Sequence, residues 1–280
     1  MGYRRTDTDG HDQGGHSLSD ATEDLAFLVR VDHRVTALVA MADGPRSRSK
    51  LQAETGMSSS TISRTIRAFE DKNWIERNGH SYETTPLGSF VATSVQELLE
   101  RIETEQKLRG VWDCLPTDVC DLGLQTLSDA VVTVATTAEP YGPLNRFTSL
   151  LDGTDEFRFL GTDVALFEPC RDDLRDRILG GMRAEIIDPP SMADYICSTY
   201  PDYCDELFES GNLTVMIHDD LPEYGLVLLD DRVGICGYDS ASGAARVMID
   251  TDAPAALAWA ESTYEHHRRE ARPFETLPVQ

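Results

Sequence analysis

Residues 58–67, SSSTISRTIR, gather Ser58, Ser59, Ser60, Thr61, Ser63, Arg64 and Arg67 within a span of three helical turns. Hydroxyls and guanidinium groups so close together can hydrogen-bond. Short hydroxyls let a helix N-terminus approach base edges, and an arginine forks onto guanine or a phosphate. At 100° per residue, Ile62, Ile66 and Phe69 fall on one side of the helix. Ser60, Arg64, Arg67 and Asp71 fall opposite, flanked by Ser63, Thr61 and Ala68. An ordinary amphipathic surface helix also shows a polar face, so this stripe alone does not choose between the two readings.

The neighbouring elements choose. Residues 19–45 read as one helix, with Leu25, Leu28, Val29, Val35, Leu38 and Val39 at helical spacing and Gly44-Pro45 as its stop. Ser47 caps a short helix, roughly 48–54, which carries Arg48 and Lys50 as further basic groups, and Gly56 ends it in a tight turn. Ser58 then caps the hydroxyl-rich helix, roughly 59–72. Two short β-runs follow, 74–77 and 80–84, joined by Asn78-Gly79, a strong hairpin signal. Helix, short helix, turn, helix and hairpin make a winged helix-turn-helix. Arg77 and His80 flank the wing tip, where a basic group can reach phosphate or a minor groove. The candidate contacts to double-stranded DNA are thus Arg48, Lys50, Ser58, Ser59, Ser60, Thr61, Ser63, Arg64, Arg67, Arg77 and His80.

Charge is the difficulty. The 280-residue chain carries a formal net charge of −24, and a polyanion is a poor partner for an acidic protein. Counted by segment, residues 1–24 are net −4, residues 25–110 net +1 and residues 111–280 net −21, while 46–77 is locally +3. Only the N-terminal half can face phosphates. Of 25 basic residues only Lys50, Lys72 and Lys107 are lysine. Abundant Asp and Glu with almost no Lys resembles proteins of salt-in halophiles. In molar salt the Debye length falls to about 3 Å, which screens long-range repulsion.

After Pro86 one long helix is expected, with Val91, Val95, Leu98 and Ile102 at 4-3-4 spacing and Leu99 widening the stripe. That seam is read either as a coiled-coil-like homodimer contact or as packing on its own domain. From residue 128 the pattern alternates. Strand-like runs fall at 130–135, 156–161, 182–187, 213–217, 225–229, 232–237 and 245–249, and helices near 143–151, 171–179, 190–209 and 254–270. The expected fold class is α+β: a winged helix-turn-helix at 21–88, a linker helix at 89–112, and an α/β sandwich with a mixed sheet at 113–280. Residues 1–20, rich in Gly, Asp, His and Ser, read as a disordered acidic tail without an apolar segment of the secretory kind.

Other chemistry finds little support. Six cysteines, at 114, 120, 170, 197, 204 and 236, have no CxxC spacing. They read as buried reduced thiols in a cytoplasmic protein, with a metal site from Cys197, Cys204 and His218 as the alternative. His266-His267 reads as solvated charge at a helix end, and Asp230-Asp231 as a hairpin turn. There is no GxGxxG, GxxxxGK[ST] or HExxH, so no cofactor, metal or catalytic residue is nominated. No apolar run reaches 18 residues, so no membrane span is expected.

The stretch 51–88, LQAETGMSSSTISRTIRAFEDKNWIERNGHSYETTPLG, resembles the winged-helix transcriptional regulators of archaea, specifically the haloarchaeal ones. The resemblance assigns Ser58–Arg67 to the recognition helix and Arg77–Tyr82 to the wing. Residues 213–274 resemble the sensor domain of the same regulators, of the type recognised in methanogenesis regulators and distantly like the phospholipase-D fold. Together the two resemblances cover about residues 25–275. The hydrolase fold uses a His-x-Lys pair, whereas His218 is followed by Asp219-Asp220 and no lysine occurs after Lys107. The expectation is a homodimeric DNA-binding regulator with a non-catalytic sensor domain whose effector, small molecule or protein, stays open. The alternatives are a winged helix used for protein contact in an assembly and a phosphodiester-acting enzyme. A protein-binding winged helix would more often show apolar residues where Arg64 and Arg67 stand.

Overall fold

The computed structural model describes residues 18–115, 122–161, 164–239 and 244–274. The tail expected at 1–20 lies outside them up to residue 17, and Leu18 already opens the first helix. The chain divides into two compact units, Met1–Glu100 and Arg101–Gln280.

The first unit holds α1 (Leu18–Val29), α2 (Asp32–Ala42), β1 (Arg46–Ser47), α3 (Arg48–Thr55), α4 (Ser59–Asp71), β2 (Ile75–Asn78), β3 (Ser81–Thr84) and the start of α5 (Pro86–Arg109). The single helix expected over 19–45 is two. Val31 is extended at φ −146°, ψ 115°, and the Arg34 guanidinium donates to the carbonyl of Phe27 while lying 4.2 Å from that ring's centroid. A carbonyl at the end of α1 thereby gains a donor, so the break leaves it satisfied. The core gathers Leu28, Leu38, Met41, Leu51, Ile62, Ile66, Phe69, Trp74 and Val95, and Phe69 is fully buried.

The Thr85-Pro86-Leu87-Gly88 stretch fixes how α5 leaves the wing. Thr85 donates its hydroxyl to the Asn73 carbonyl at 2.6 Å and its N–H to the Trp74 carbonyl at 3.0 Å, and its Oγ accepts from the Gly88 N–H at 3.1 Å. Pro86 takes the first helical position, where its missing N–H is no loss. A Cβ at Gly88 would stand 1.7 Å from the Trp74 oxygen. Gly88→Ala is therefore expected to destabilise this unit by about 1–3 kcal/mol or more, because backbone has to move to admit the methyl. Thermal unfolding of the full chain measures it, and an unchanged melting profile would refute the contact.

The second unit holds the end of α5, then β4 (Val131–Val134), α6 (Gly142–Leu151), β5 (Glu156–Leu160), α7 (Val164–Leu179), β6 (Arg183–Asp188), α8 (Pro190–Thr199), α9 (Pro201–Ser210), β7 (Leu213–Ile217), β8 (Gly225–Leu229), β9 (Arg232–Tyr238), β10 (Ala245–Thr251), α10 (Pro254–Glu270) and β11 (Arg272–Pro273). The helix expected at 190–209 is two, since Pro201 forces Tyr200 out of helical space, at φ −130°, ψ 59°. The helix expected at 171–179 begins seven residues earlier, at Val164.

The strands form one mixed sheet in the order β11-β7-β6-β5-β8-β9-β10-β4, in which β5, β6 and β7 are parallel and the other pairs antiparallel. Alternation fills both faces. On β8, Leu226 and Leu228 join a core with Ala256, Ala260 and Tyr264 of α10. Val227 and Leu229 join the opposite core with Phe147 of α6 and Leu174 and Ile178 of α7. The β8–β9 hairpin turns at Asp230-Asp231 as expected, and the Asp230 carboxylate accepts the Glu156 N–H at 2.8 Å. Asp250, 0% exposed, accepts two bonds from Arg146 at 2.8 and 2.7 Å and one from Arg232 at 2.8 Å. A buried carboxylate is tolerated when paired in this way.

Among the described residues no helix is long and apolar enough to cross a membrane. None of their His, Cys, Asp and Glu side chains form a group of three placed to hold a metal ion. Cys197 and Cys204 do lie together, with sulfurs 3.2 Å apart. His267 is less solvated than expected: it is partly buried, with its ring edge-on to His218 at 5.3 Å between centroids.

Candidate nucleic-acid interface

The geometry begins with two serine caps. The Ser47 hydroxyl accepts the Lys50 N–H at 3.2 Å, which starts α3, and Gly56 closes α3 in the left-handed region at φ 67°. The Ser58 hydroxyl accepts the Thr61 N–H at 3.3 Å and lies 3.0 Å from the Ser60 hydroxyl. The start of α4 is thus a cluster of exposed hydroxyls around a satisfied cap. On its inner face Ile62, Thr65, Ile66 and Phe69 are buried at i, i+3, i+4 and i+7 spacing, which pins the rotation of the helix.

That rotation leaves Ser59, Ser60, Ser63, Arg64 and Arg67 exposed, as the sequence implied, with Thr61 half-buried. Ser63 returns its hydroxyl to the Ser59 carbonyl at 3.0 Å and so offers only lone pairs outward. Among the described residues no ion pair or hydrogen bond engages the guanidinium of Arg64 or Arg67. Some arginines of the chain are held by acidic neighbours, as Arg109 is by Glu105 and Arg175 by Glu206, whereas both arginines on α4 are open to an external partner.

The other basic groups are exposed but tethered. Lys50 lies 4.0 Å from Glu54. Arg48 donates to the Tyr82 hydroxyl at 3.1 Å, and Arg77 at the wing donates to the Gly79 carbonyl at 2.9 Å. The loop is Gly79-His80, one residue later than the Asn78-Gly79 turn expected, since Asn78 pairs with Ser81. Gly79 has φ 62° at the first loop position, where a type II′ hairpin places glycine, and His80 stands exposed beside it.

One element escaped the sequence reading. Arg46 and Ser47 pair with Tyr82 and Ser81, making the wing a three-stranded sheet in the order β1-β3-β2. Two residues carry no periodicity, so a strand that short has no signal of its own. Its consequence is the Arg48–Tyr82 link, which joins the start of α3 to the wing.

The dimer seam on α5 needs correction. Val95 is buried and Val91 packs against the first unit's own core, so these two belong to the intramolecular interior. Leu98 and Ile102 are 40% and 42% exposed, and Leu87 and Phe90 are more exposed still. A period of 4-3-4 is shared by a dimer seam and a core stripe, and here the two faces adjoin on one helix. The far end of α5 contributes Leu108 to the second unit's core.

Residues 22–107 match the model of the HVO_A0261 N-terminal domain, and residues 140–270 that of the middle domain of the methanogenesis regulatory protein FilR1. The first match takes in the whole interface described above. The second runs from just before α6 to the last turn of α10.

Similar solved structures include TrmBL2, an archaeal chromatin protein with a novel mode of DNA binding, at 14% identity and a TM-score of 0.41, covering 92% of this chain and all of that one. NucT from Helicobacter pylori, at 13% identity and TM-score 0.41, and the phospholipase D family member Nuc from Salmonella typhimurium, at 12% and 0.37, each cover 52% of this chain and 98% of their own. The comparison with curated proteins gives no match. Within the region of the second match His218 is buried and its Nδ1 accepts the Asp220 N–H at 3.1 Å.

Proposed function

We propose that this chain is a sequence-specific transcriptional regulator that binds double-stranded DNA through α4 and the wing, acts as a homodimer, and carries a non-catalytic FilR1 sensor domain. The observation that carries the reading is the unpartnered pair Arg64 and Arg67 on a helix whose rotation is fixed by its buried face. Donors held outward from a rigid scaffold are what base and phosphate recognition require. The two regulator-type domain matches, one after the other, support it. The His-x-Lys pair is absent around His218, which supports a binding role for the domain over a catalytic one. Selection from random duplexes in molar potassium chloride tests this reading. It should enrich one motif with two related half-sites, and a pool that stays random would refute it.

The homodimer is placed on the exposed stripe of α5. Leu98→Glu should shift the chain toward monomer at micromolar concentration, since a carboxylate pair in an apolar seam cannot be solvated. Sedimentation at native salt reads the outcome, and wild type sedimenting as a monomer would refute the dimer.

Salt should act on this protein in an unusual direction. Basic repressors lose affinity steeply as salt rises, because each neutralised phosphate releases counterions. Here residues 25–110 are only net +1 while residues 111–280 are net −21. Screening therefore removes repulsion as well as attraction, and the slope of affinity against salt should be shallow or inverted. Titration over the range in which circular dichroism shows folded protein measures it, and a steep loss would contradict the charge assignment.

A further inference from the structure

The FilR1-like region contains a cavity of about 70 Å³ between the sheet and α7, α8 and α9. Its wall is apolar, including Phe159, Ile186, Met192, Leu207 and Phe274. One charged residue interrupts it. Asp188, the last residue of β6, lines the cavity and is 6% exposed. Its backbone carbonyl accepts the His218 N–H at 3.0 Å, but among the described residues nothing engages its carboxylate. A buried carboxylate without a partner is rare, because buried charges are normally paired. Asp250, in the same sheet and fully buried, shows the usual solution with two arginines. Burial pushes the Asp188 carboxyl up to about 7, and no neighbouring cation pulls it back.

We propose that this cavity binds a small amphipathic amine, with its hydrocarbon part among Ile186, Met192 and Phe274 and its protonated nitrogen paired with Asp188. An ammonium head supplies the charge that the wall lacks and donates to both carboxylate oxygens. The cavity is smaller than the roughly 150 Å³ that admits benzene, so the occupant is slender, a short unbranched chain. Met192, unbranched and flexible, is the wall residue best able to yield to a longer one. The proposal names the ligand class for the domain read above as the sensor and rests on that reading for its consequence, not for the binding itself.

Calorimetry of the full chain in reducing buffer at pH 8 and constant high salt tests it, with n-propylammonium and n-butylammonium as ligands and n-butanol as the neutral isostere. The amines should bind, and n-butylammonium should bind about 10-fold or more tighter than n-butanol, the advantage of a charge-assisted pair. Asp188→Asn, shown folded by circular dichroism, should lose that preference. Absent amine binding, equal binding of the alcohol, or an Asp188→Asn variant that keeps the preference would each overturn the proposal. DNA affinity measured with and without saturating n-butylammonium is the separate arm. Amine bound at Asp188 with unchanged DNA affinity would keep the site and refute the sensor reading. A failed amine titration leaves the sensor reading to another ligand.

Discussion

Replacing Arg64 and Arg67 together with alanine will weaken binding to a selected DNA site by on the order of 100-fold or more, given about 1–3 kcal/mol for each arginine that contacts a base or buried phosphate. Both side chains are exposed and free of intramolecular partners, so their loss should leave the melting temperature of the first unit unchanged. Arg34, which caps α1, and Lys72, which pairs with Asp24, are basic residues of the same unit with structural duties. Their removal should act on stability first. The single variants divide the roles. An arginine that reads a base relaxes specificity at one position of the site, whereas one that holds phosphate weakens all sequences alike. Affinity measured at matched salt separates these, and a double variant binding like wild type would remove α4 from the interface.

The second large effect is on stability against pH. The Asp188 carboxyl ordinarily titrates near 3.8 and is held at about 7 in the folded chain by burial. Between those values the folded state binds the proton that the unfolded state has lost. Its contribution is therefore fully present below about pH 4 and is lost as pH rises through 7. The difference is on the order of 4 kcal/mol. The other titratable side chains around the cavity are Tyr203 and the thiols of Cys170, Cys197 and Cys204. Burial raises Tyr203 further above its usual range, so it stays neutral throughout. The chain's charge of −24 also favours lower pH by reducing self-repulsion, so the comparison has to be internal. Denaturant unfolding of wild type and Asp188→Asn across pH 5–8 supplies it. The variant's advantage should grow as pH rises, and parallel curves would contradict the raised carboxyl.

Much of the interface was legible because its signals are local. Ser47, Gly56 and Ser58 fix three helix ends through bonds that span three or four residues, and the Ile62-Ile66-Phe69 period fixes which face of α4 is outward. The paired β-strands and the Asp230-Asp231 turn were likewise written in alternation and turn chemistry. What escaped depends on contacts that no local pattern announces. The break at Val31 is held by Arg34 reaching back to Phe27, and the three-stranded wing needs Arg46 beside Tyr82, thirty-six residues on. Val91 and Val95 carried the same spacing as Leu98 and Ile102, and only packing separates core from exposed stripe. Asp188 gave no signal, since a carboxylate before Pro189-Pro190 reads as a loop until β6 is seen to carry it into an apolar wall.

Genome-wide occupancy in the source cell, comparing wild type with the Arg64→Ala, Arg67→Ala double variant at equal abundance, tests the central claim most directly. The account predicts discrete sites that share one motif in wild type and lose occupancy in the variant. Occupancy without a shared motif, or a pattern that the double variant leaves intact, would contradict it.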